Sequence, residues 1–494
     1  MALGDVQVVE IPCGKGGMNY SKAVIDFPIE DLRDSENCTF EHGTWEKEGG
    51  ATKINTTVIT DAPTITGLHD FWPDSVTQKR IAGTSDGKII SFGTDGIIDT
   101  LKSGLGTDKQ FTFAESLGAS TTRKLFCFNG YNAPQVTSDG VSCANLATPP
   151  ADWTGNNQPT VGIAHRNRMW AFGNANAKHR LGEKLVAGIS MFGRLFLFKY
   201  PTGIYWIDDS DTTASNWTAN RLSKAIGMKG PLGLAQTQND TLFISADGFV
   251  HSLLTVEAYG DAKSSAILPD KIGEFVRTKI KNSRLEWAVA CYYSFKQEWH
   301  LAHTAQGSTA NDQRLILDLS DLGNPRYRYS PRDECEAMSL VRDSNGIDRP
   351  MVGDTVGFVR MLDQSNRNKD GGAYIAKFNT ADIPLMQRGL RRGNLQWVEA
   401  IFRPEGQHNL TLDVYKDSEY SETVYMSMGG ASGAALGSFV LGTSSLGGGN
   451  IANTRKRLTG DCRRISLVGY NSGINENFSI SSFLIGFTPG NERI

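Results

Sequence analysis

Apolar and polar positions alternate in short bursts along most of this chain. From Arg277 to Asp363 the bursts follow one another almost without a break. Trp287 to Tyr293 (WAVACYY) is apolar and rich in β-forming residues, and Glu298 to Thr304 (EWHLAHT) follows the polar turn Phe295-Lys296-Gln297. Arg314 to Leu319, Tyr327-Arg328-Tyr329, Met338 to Arg342 and Arg349 to Val352 come next. Gly353-Asp354-Thr355-Val356-Gly357 then turns the chain into Phe358 to Asp363. Short strands at a spacing of roughly 8–12 residues, divided by Gly, Asp and Asn turns, predict an all-β sandwich, barrel or propeller.

A weak repeat points to the propeller. Each unit has a strand with small residues, a turn, an aromatic strand, then Asp-Gly or Gly and another strand. The first runs from Ile65 to Leu101, with Ser85-Asp86-Gly87 between apolar runs, a strong hairpin signal. The second holds Phe111 to Ala114, Lys124 to Phe128 and Ser138-Asp139-Gly140; the third, Val161 to Ala164 and Arg168 to Phe172. The fourth spans Leu185 to Ile207, the fifth Leu232 to Leu253 with Asp247-Gly248, and Ala288 to Asp363 supplies a sixth. The period is uneven against the roughly 40–50 residues of regular blades, and about six blades are expected over residues 61–372. Ile272, Phe275, Val276 and Ile280 share one helical face, so a helix is expected over Pro269–Lys281.

A polar linker, Gln364 to Gly372, leads to a third region, 373–494. Here Tyr374–Thr380, Asn394–Phe402, Asn409–Tyr415, Glu422–Met426, Arg463–Tyr470 and Phe478–Phe487 read as strands of a small β-sandwich platform. Leu410, Leu412 and Val414 alternate with Thr411 and Asp413, one buried face and one wet. Residues 1–60 read as an extended arm packing on that platform, with one helical turn at Pro28 to Arg33. Ser427 to Asn453 is a Gly/Ser/Ala-rich insertion around Phe439, Val440 and Leu441. An insertion this long inside a compact domain tends to be functional or disordered, so these three residues are expected to be anchors in an assembly interface.

Composition narrows the classes. Hydrophobic residues make up 39% and charged residues 21% of the 494 positions, which predicts folded domains. The net charge of −3 argues against a protein whose main task is gripping duplex DNA. Seven scattered cysteines with no CxxC suit free thiols. Met1 to Asp5 carries neither a basic nor an apolar stretch, so no signal peptide is expected, and no apolar run reaches the length of a membrane helix.

Motifs with chemistry are few. Gly83-Thr84-Ser85-Asp86-Gly87 matches GxSxG but is followed by a strand, where a nucleophile elbow needs a helix. His300 and His303, three apart on a strand, point to opposite faces and cannot share a metal ion. Asp208, Asp209 and Asp211 form either a solvated loop or a cation or carboxylate-pair site. Tyr205, Trp206, Asp208 and Trp217 are the one cluster that could serve a glycan. There is no phosphate loop, GxGxxG or HExxH, and no cofactor or metal is expected. Arg388, Arg391 and Arg392, and Arg455, Lys456 and Arg457 with Arg463 and Arg464, are either solvated turns or a contact with subunits or partners.

The order WAVACYYSFKQEWHLAH, RLILDLSDLGNPRYRYS, RPMVGDTVGFVRMLDQS and Ala376-Lys377-Phe378-Asn379-Thr380 resembles the tail nozzle (tail tubular) proteins of short-tailed bacteriophages. The phrase Ser35 to Gly50 resembles the opening of that family. The resemblance covers most of the chain in pattern order and rests on no catalytic motif. It implies a β-propeller and a non-enzymatic virion component assembled in the host cytoplasm. It also implies a homo-hexameric ring below the portal and its head-to-tail adaptor, with tail fibres or tailspikes around it. Genomic DNA would pass through the ring without sequence-specific binding. A tail-associated propeller that binds or cleaves carbohydrate is the alternative expectation.

Overall fold

Strands dominate the computed structural model, which describes residues 5–21, 27–117, 122–155, 157–173, 184–211, 213–259, 270–321, 323–386, 389, 391–429 and 451–490. The chain divides into two units: residues 52–320 with 331–362, and residues 1–51 with 321–330 and 363–494.

The first unit is a β-propeller with five self-contained blades, each an antiparallel sheet of three or four strands. Their first strands are Ile65–Phe71, Thr112–Ser116, Lys184–Met191, Leu234–Gln236 and Ala337–Arg342. Two further strand sets reach the same central channel: the hairpin of Val161–His165 and Arg168–Phe172, and the meander Val289–Tyr293, Glu298–His303 and Gln313–Asp318. The expected six blades are therefore revised. The third unit read from the sequence is a two-stranded hairpin among the described residues, and the run read as a sixth unit divides into the meander and the fifth blade.

Close approach between neighbours explains the small residues of the repeat. A Cβ added at Gly67 or Gly83 of the first blade would lie 2.4 or 2.3 Å from Phe111, which enters the second. One at Gly162 of the hairpin would lie 2.1 Å from the Phe128 ring, and one at Gly353 of the fifth blade 2.4 Å from Ile65 of the first. Glycine is required at these positions because a neighbour's side chain, or at Gly67 the Phe111 carbonyl, occupies the space a side chain would need. Between the third and fourth blades the rings of Phe198 and Phe243 meet at 5.1 Å. The Ala290 amide donates to the Leu232 carbonyl at 2.7 Å to join the fourth blade to the meander.

The arm boundary also moves. Asn55 is fully buried; its amide donates to the Gly357 carbonyl at 3.0 Å, and its Oδ1 accepts from the Val359 amide at 2.8 Å. Residues 52–60 thus belong to the propeller and tie its start to its last blade, while 363–372 belong to the other unit. The expected helix over Pro269–Lys281 shortens to α2 (Gly273–Lys279) after a 3-10 turn, and a second helix, α1 (Leu253–Tyr259), precedes it.

The second unit carries two further sheets. One orders Cys38–Thr39, Trp45–Lys47, Ser479–Pro489, Gly393–Phe402 and Ala452–Arg457, with Gln7–Pro12 alongside Ser479–Pro489. The other includes Leu32–Glu36, Ala376–Thr380, Arg464–Asn471, Asn409–Lys416 and Glu419–Ser427 in that order. Leu410, Leu412 and Val414 are wholly buried in one core with Trp45, Phe378, Val398 and Phe483, as their alternation implies. The strand Arg326–Ser330, read from sequence as part of a blade, pairs in parallel with Leu32–Glu36. Pro28 to Asp31 form a turn closed by an Asp31 amide to Pro28 carbonyl bond of 3.2 Å, not a helical turn, and a strand begins at Leu32.

Two measurements follow from this packing. Gly162→Ala should lower stability by about 1–3 kcal/mol through overpacking, and Phe128→Ala by about 3–5 kcal/mol through a cavity. The double variant should lose less than the sum, because the new methyl group enters space the ring vacates; strict additivity in urea unfolding would mean that the two residues do not touch.

Burial pushes His251, stacked on Phe243, and His303 down to about 4. An unfolded histidine titrates near 6.5, so between those values the unfolded chain binds more protons and stability rises with pH. Each contributes at most about 1.4 kcal/mol per pH unit in that window. The urea midpoint should fall on acidification from about pH 6.5 to 4, and His251→Phe should flatten the fall; an unchanged slope in that variant would remove His251 as its source.

Candidate functional site

The arginines singled out from sequence do not act as one cluster. Arg388, and the expected anchors Phe439, Val440 and Leu441, lie outside the described residues. Arg391 is exposed just before the Gly393–Phe402 strand. Arg392 pairs with Asp461 at 2.8 Å and approaches Asp417 at 3.8 Å, which holds Asp461 below the usual carboxylate range. Arg455 reaches Glu399 at 2.5 Å, while its guanidinium lies 4.0 Å from the Trp397 ring centre. That ring covers Gly486 on the paired strand, where a Cβ would meet it at 2.2 Å. Lys456 and Arg457 are exposed on the same strand, Ala452–Arg457, which is the last in its sheet. A basic edge strand resists pairing with a stray strand while leaving charge for a chosen partner.

The aspartates after Ile207 separate by role. The Val161–Phe172 hairpin turns through Arg166 and Asn167, both left-handed with φ of 45° and 59°. Positive φ at both central residues marks a two-residue turn of the kind that follows the natural strand twist. This turn sets Arg166 against the third blade. Buried Asp209 takes His165 Nε2 at 3.0 Å and Arg166 Nη1 at 3.1 Å; His165 Nδ1 lies 2.7 Å from Ser190 Oγ. Asp209 is thus a structural anchor. Asp208 is held low by its bonds with Ser210, and Asp211 by the Thr213 amide and the Asn216 side chain. Asp208 is half-buried at the strand end and Asp211 is exposed, and both form turns. Among the described residues, no group of three or more His, Cys, Asp or Glu is placed to hold a metal ion.

The expected aromatic cluster disperses. Tyr205 and Trp206 point to opposite faces of one strand: Tyr205 Oη accepts from Arg221 Nε at 2.9 Å, and Trp206 packs under the Arg194 guanidinium at 5.0 Å. Trp217 instead stacks on Trp170, with ring centres 5.5 Å apart and planes 24° apart. The two indoles wall a cavity of about 210 Å3 with His165, Arg166, Arg168, Asp209, Ser210 and Asp211. Trp170 escaped the sequence reading because it lies 47 positions from Trp217 and on another sheet; the positive-φ turn before it leaves only a faint signal. His300 is absorbed as well, with Nε2 at 3.0 Å from Glu298 and Nδ1 at 3.3 Å from Arg314.

The propeller channel holds about 410 Å3 and is lined by Gly67, Leu68, Thr112, Gly162, Gly188, Ala235, Ala290, Ser339 and their neighbours. None of its lining residues is Lys, Arg, Asp or Glu. A hollow of about 490 Å3 adjoins it at His69. Its Asp70 carboxylate is satisfied by Gln78 at 3.0 Å, Trp72 Nε1 at 3.1 Å and the Arg342 amide at 3.0 Å.

No protein-family model and no curated protein matches the chain. Solved propellers resemble it. The WD40 β-propeller domain of Doa1 is 9% identical, covering 65% of this chain and 97% of that one at a TM-score of 0.36. YCF48 bound to D1 peptide is 10% identical, covering 64% and 97% at 0.37. An exo-β-1,3-galactanase from Phanerochaete chrysosporium is 10% identical, covering 89% and 99% at 0.26. These likenesses concern the fold alone. The chain is a mainly β protein that joins a β-propeller to two further sheets.

Proposed function

We propose that this chain is a structural subunit of the tail nozzle of a short-tailed bacteriophage. Six copies form a ring below the portal and its adaptor. The ring extends the DNA channel, retains the packaged genome until ejection, and carries fibres or spikes. The role is mechanical and not catalytic.

One observation carries the reading: the ordered run of strand phrases from Trp287 to Thr380, together with the opening phrase Ser35 to Gly50, which resemble the nozzle proteins. The architecture is compatible with it. A cyclic ring needs a heterologous contact, one surface of each subunit against a different surface of the next. The exposed Arg391, Lys456 and Arg457 offer a cationic surface for an acidic neighbour or adaptor. A conduit must let DNA slide, and a net charge of −3 supplies no general grip on phosphates.

The test is the mass of the full chain in native mass spectrometry, alone and after mixing with the adaptor of the same virion. The reading requires a species near six times 53.9 kDa. It is overturned by a chain that stays monomeric in both conditions. Lys456→Glu with Arg457→Glu should leave the melting temperature unchanged, because exposed substitutions stay within about 0.5 kcal/mol, and should lower the hexamer fraction. Unchanged assembly would exclude this surface from the contact.

A further inference from the structure

We propose that the cavity between the tip of the Val161–Phe172 hairpin and the loop after Asp208 binds one acidic pyranose residue of a glycan. Trp170 and Trp217 form its stacking wall, and Arg168 is the partner of the sugar carboxylate. The inference concerns the propeller alone and is independent of ring assembly.

The size suits a single sugar ring: about 210 Å3 falls below the roughly 300–1,000 Å3 of pockets for drug-sized ligands. The wall is apolar: the two indoles stack on each other and both line the cavity, and the C–H groups of a pyranose need an apolar surface.

The charges are not equally available. Arg166 is committed: it pairs with the Asp209 carboxylate at 3.1 Å and donates to the Asp209 and Gly193 carbonyls at 2.9 and 3.1 Å. Arg168 is exposed, and its guanidinium lies 4.7 Å from the centre of the Trp217 ring. It has no carboxylate partner among the described residues, so its planar fork can take a ligand carboxylate through two parallel bonds.

The remaining groups favour a sugar over a nucleic acid. Asp211 accepts at one oxygen from the Thr213 amide at 2.7 Å and at the other from Asn216 at 2.8 Å. Each carboxylate oxygen keeps a lone pair that can receive a hydroxyl proton. The Ser210 hydroxyl, which donates to Asp208, can still accept. A polyhydroxylated ring supplies both donors and acceptors to this mixed set. A phosphodiester supplies only acceptors and offers no hydroxyl proton to Asp211.

Saturation-transfer difference NMR on the full chain tests the assignment, with sodium glucuronate and an oligoglucuronate as probes. Glucose, inorganic phosphate and a thymidine oligonucleotide are the comparators. Saturation should reach the sugar ring protons, with glucose bound at least about tenfold more weakly than glucuronate. Arg168→Gln, a change at an exposed hairpin position, should weaken glucuronate by about tenfold or more. Trp217→Ala should abolish the transfer, with circular dichroism confirming that this variant folds. Arg342→Gln, on another blade, should bind as the parent does. No transfer to glucuronate at about 20 mM, well above a millimolar Kd, overturns the proposal. So does an Arg168→Gln variant that binds like the parent, or equal competition by phosphate or by the oligonucleotide.

Discussion

The propeller depends on side chains of one blade seated on glycines of the next. Phe111 on Gly67 and Gly83, Phe128 on Gly162 and Ile65 on Gly353 are the same solution at three junctions. A blade is a twisted sheet with two faces to cover, and its neighbours cover both. Where an aromatic ring must lie flat against a strand, the strand has no room for a Cβ. Protein interiors are packed as densely as organic crystals, so the fit at each junction fixes the distance between blades. With that distance set, the first strands stand round a channel whose uncharged lining mixes small residues such as Gly67, Gly162, Gly188, Ala235 and Ser339 with larger ones such as Phe111, Leu234 and Met338.

Charge is handled by a different rule at the junction between the meander and the fifth blade. Arg314 is wholly buried and lies 3.4 Å from Asp333, which also receives Arg332 at 2.8 Å. Arg284 reaches Glu336 at 2.6 Å, and the other oxygen of Glu336 accepts from the Asn311 amide at 2.5 Å. Burial still raises the pKa of Glu336, its desolvation outweighing those bonds. Buried ion pairs of this kind give little net stability over apolar packing, but losing one partner leaves a stranded charge. They act here as a keyed joint: a different seating of the meander against the blade would part these ion pairs and strand their charges. The channel keeps its uncharged wall because the charges are spent in the junctions behind it.

Local pattern made much of this legible. The strands of the second unit could be read at period two because one face meets a core and the other meets solvent, as at Leu410 to Val414. Ser85-Asp86-Gly87 was legible as a turn because its mechanics are local: Thr84 Oγ1 donates to Asp86 at 2.5 Å, and Gly87 takes a φ of 78°. Long-range partners were not legible. Arg326–Ser330 looks like any other strand until Leu32–Glu36 claims it, and α1 has only two buried residues, Leu253 and Val256, to mark its helical period. Blade counting failed where the Asp-Gly turn is missing, in the Val161–Phe172 hairpin. The cavity at the hairpin tip was not legible for the same reason of distance: Trp217 was visible, but the ring that completes its wall comes from another sheet.

The way each unit holds its own chain ends explains why one chain can carry both. A domain inserted into another must have its two ends close together, or loop closure costs entropy on both sides. In the propeller the entering chain at Asn55 is bonded to Gly357 and Val359, five to three residues before the propeller's last residue, Leu362. In the other unit the Gly50 and Ala51 amides donate to the Asn366 and Asn368 carbonyls at 2.7 and 2.9 Å. Each unit therefore holds its own outgoing and returning segments side by side. A propeller closed between the start and end of its sequence is suited to insertion, because closing the ring also brings the two ends together. The buried Asn55 is thus the point where circular closure and domain insertion become one constraint. Its side chain accepts from the Val359 amide and shares the Gly357 carbonyl with the Ile59 amide, so an apolar residue there would remove both side-chain bonds that close the ring.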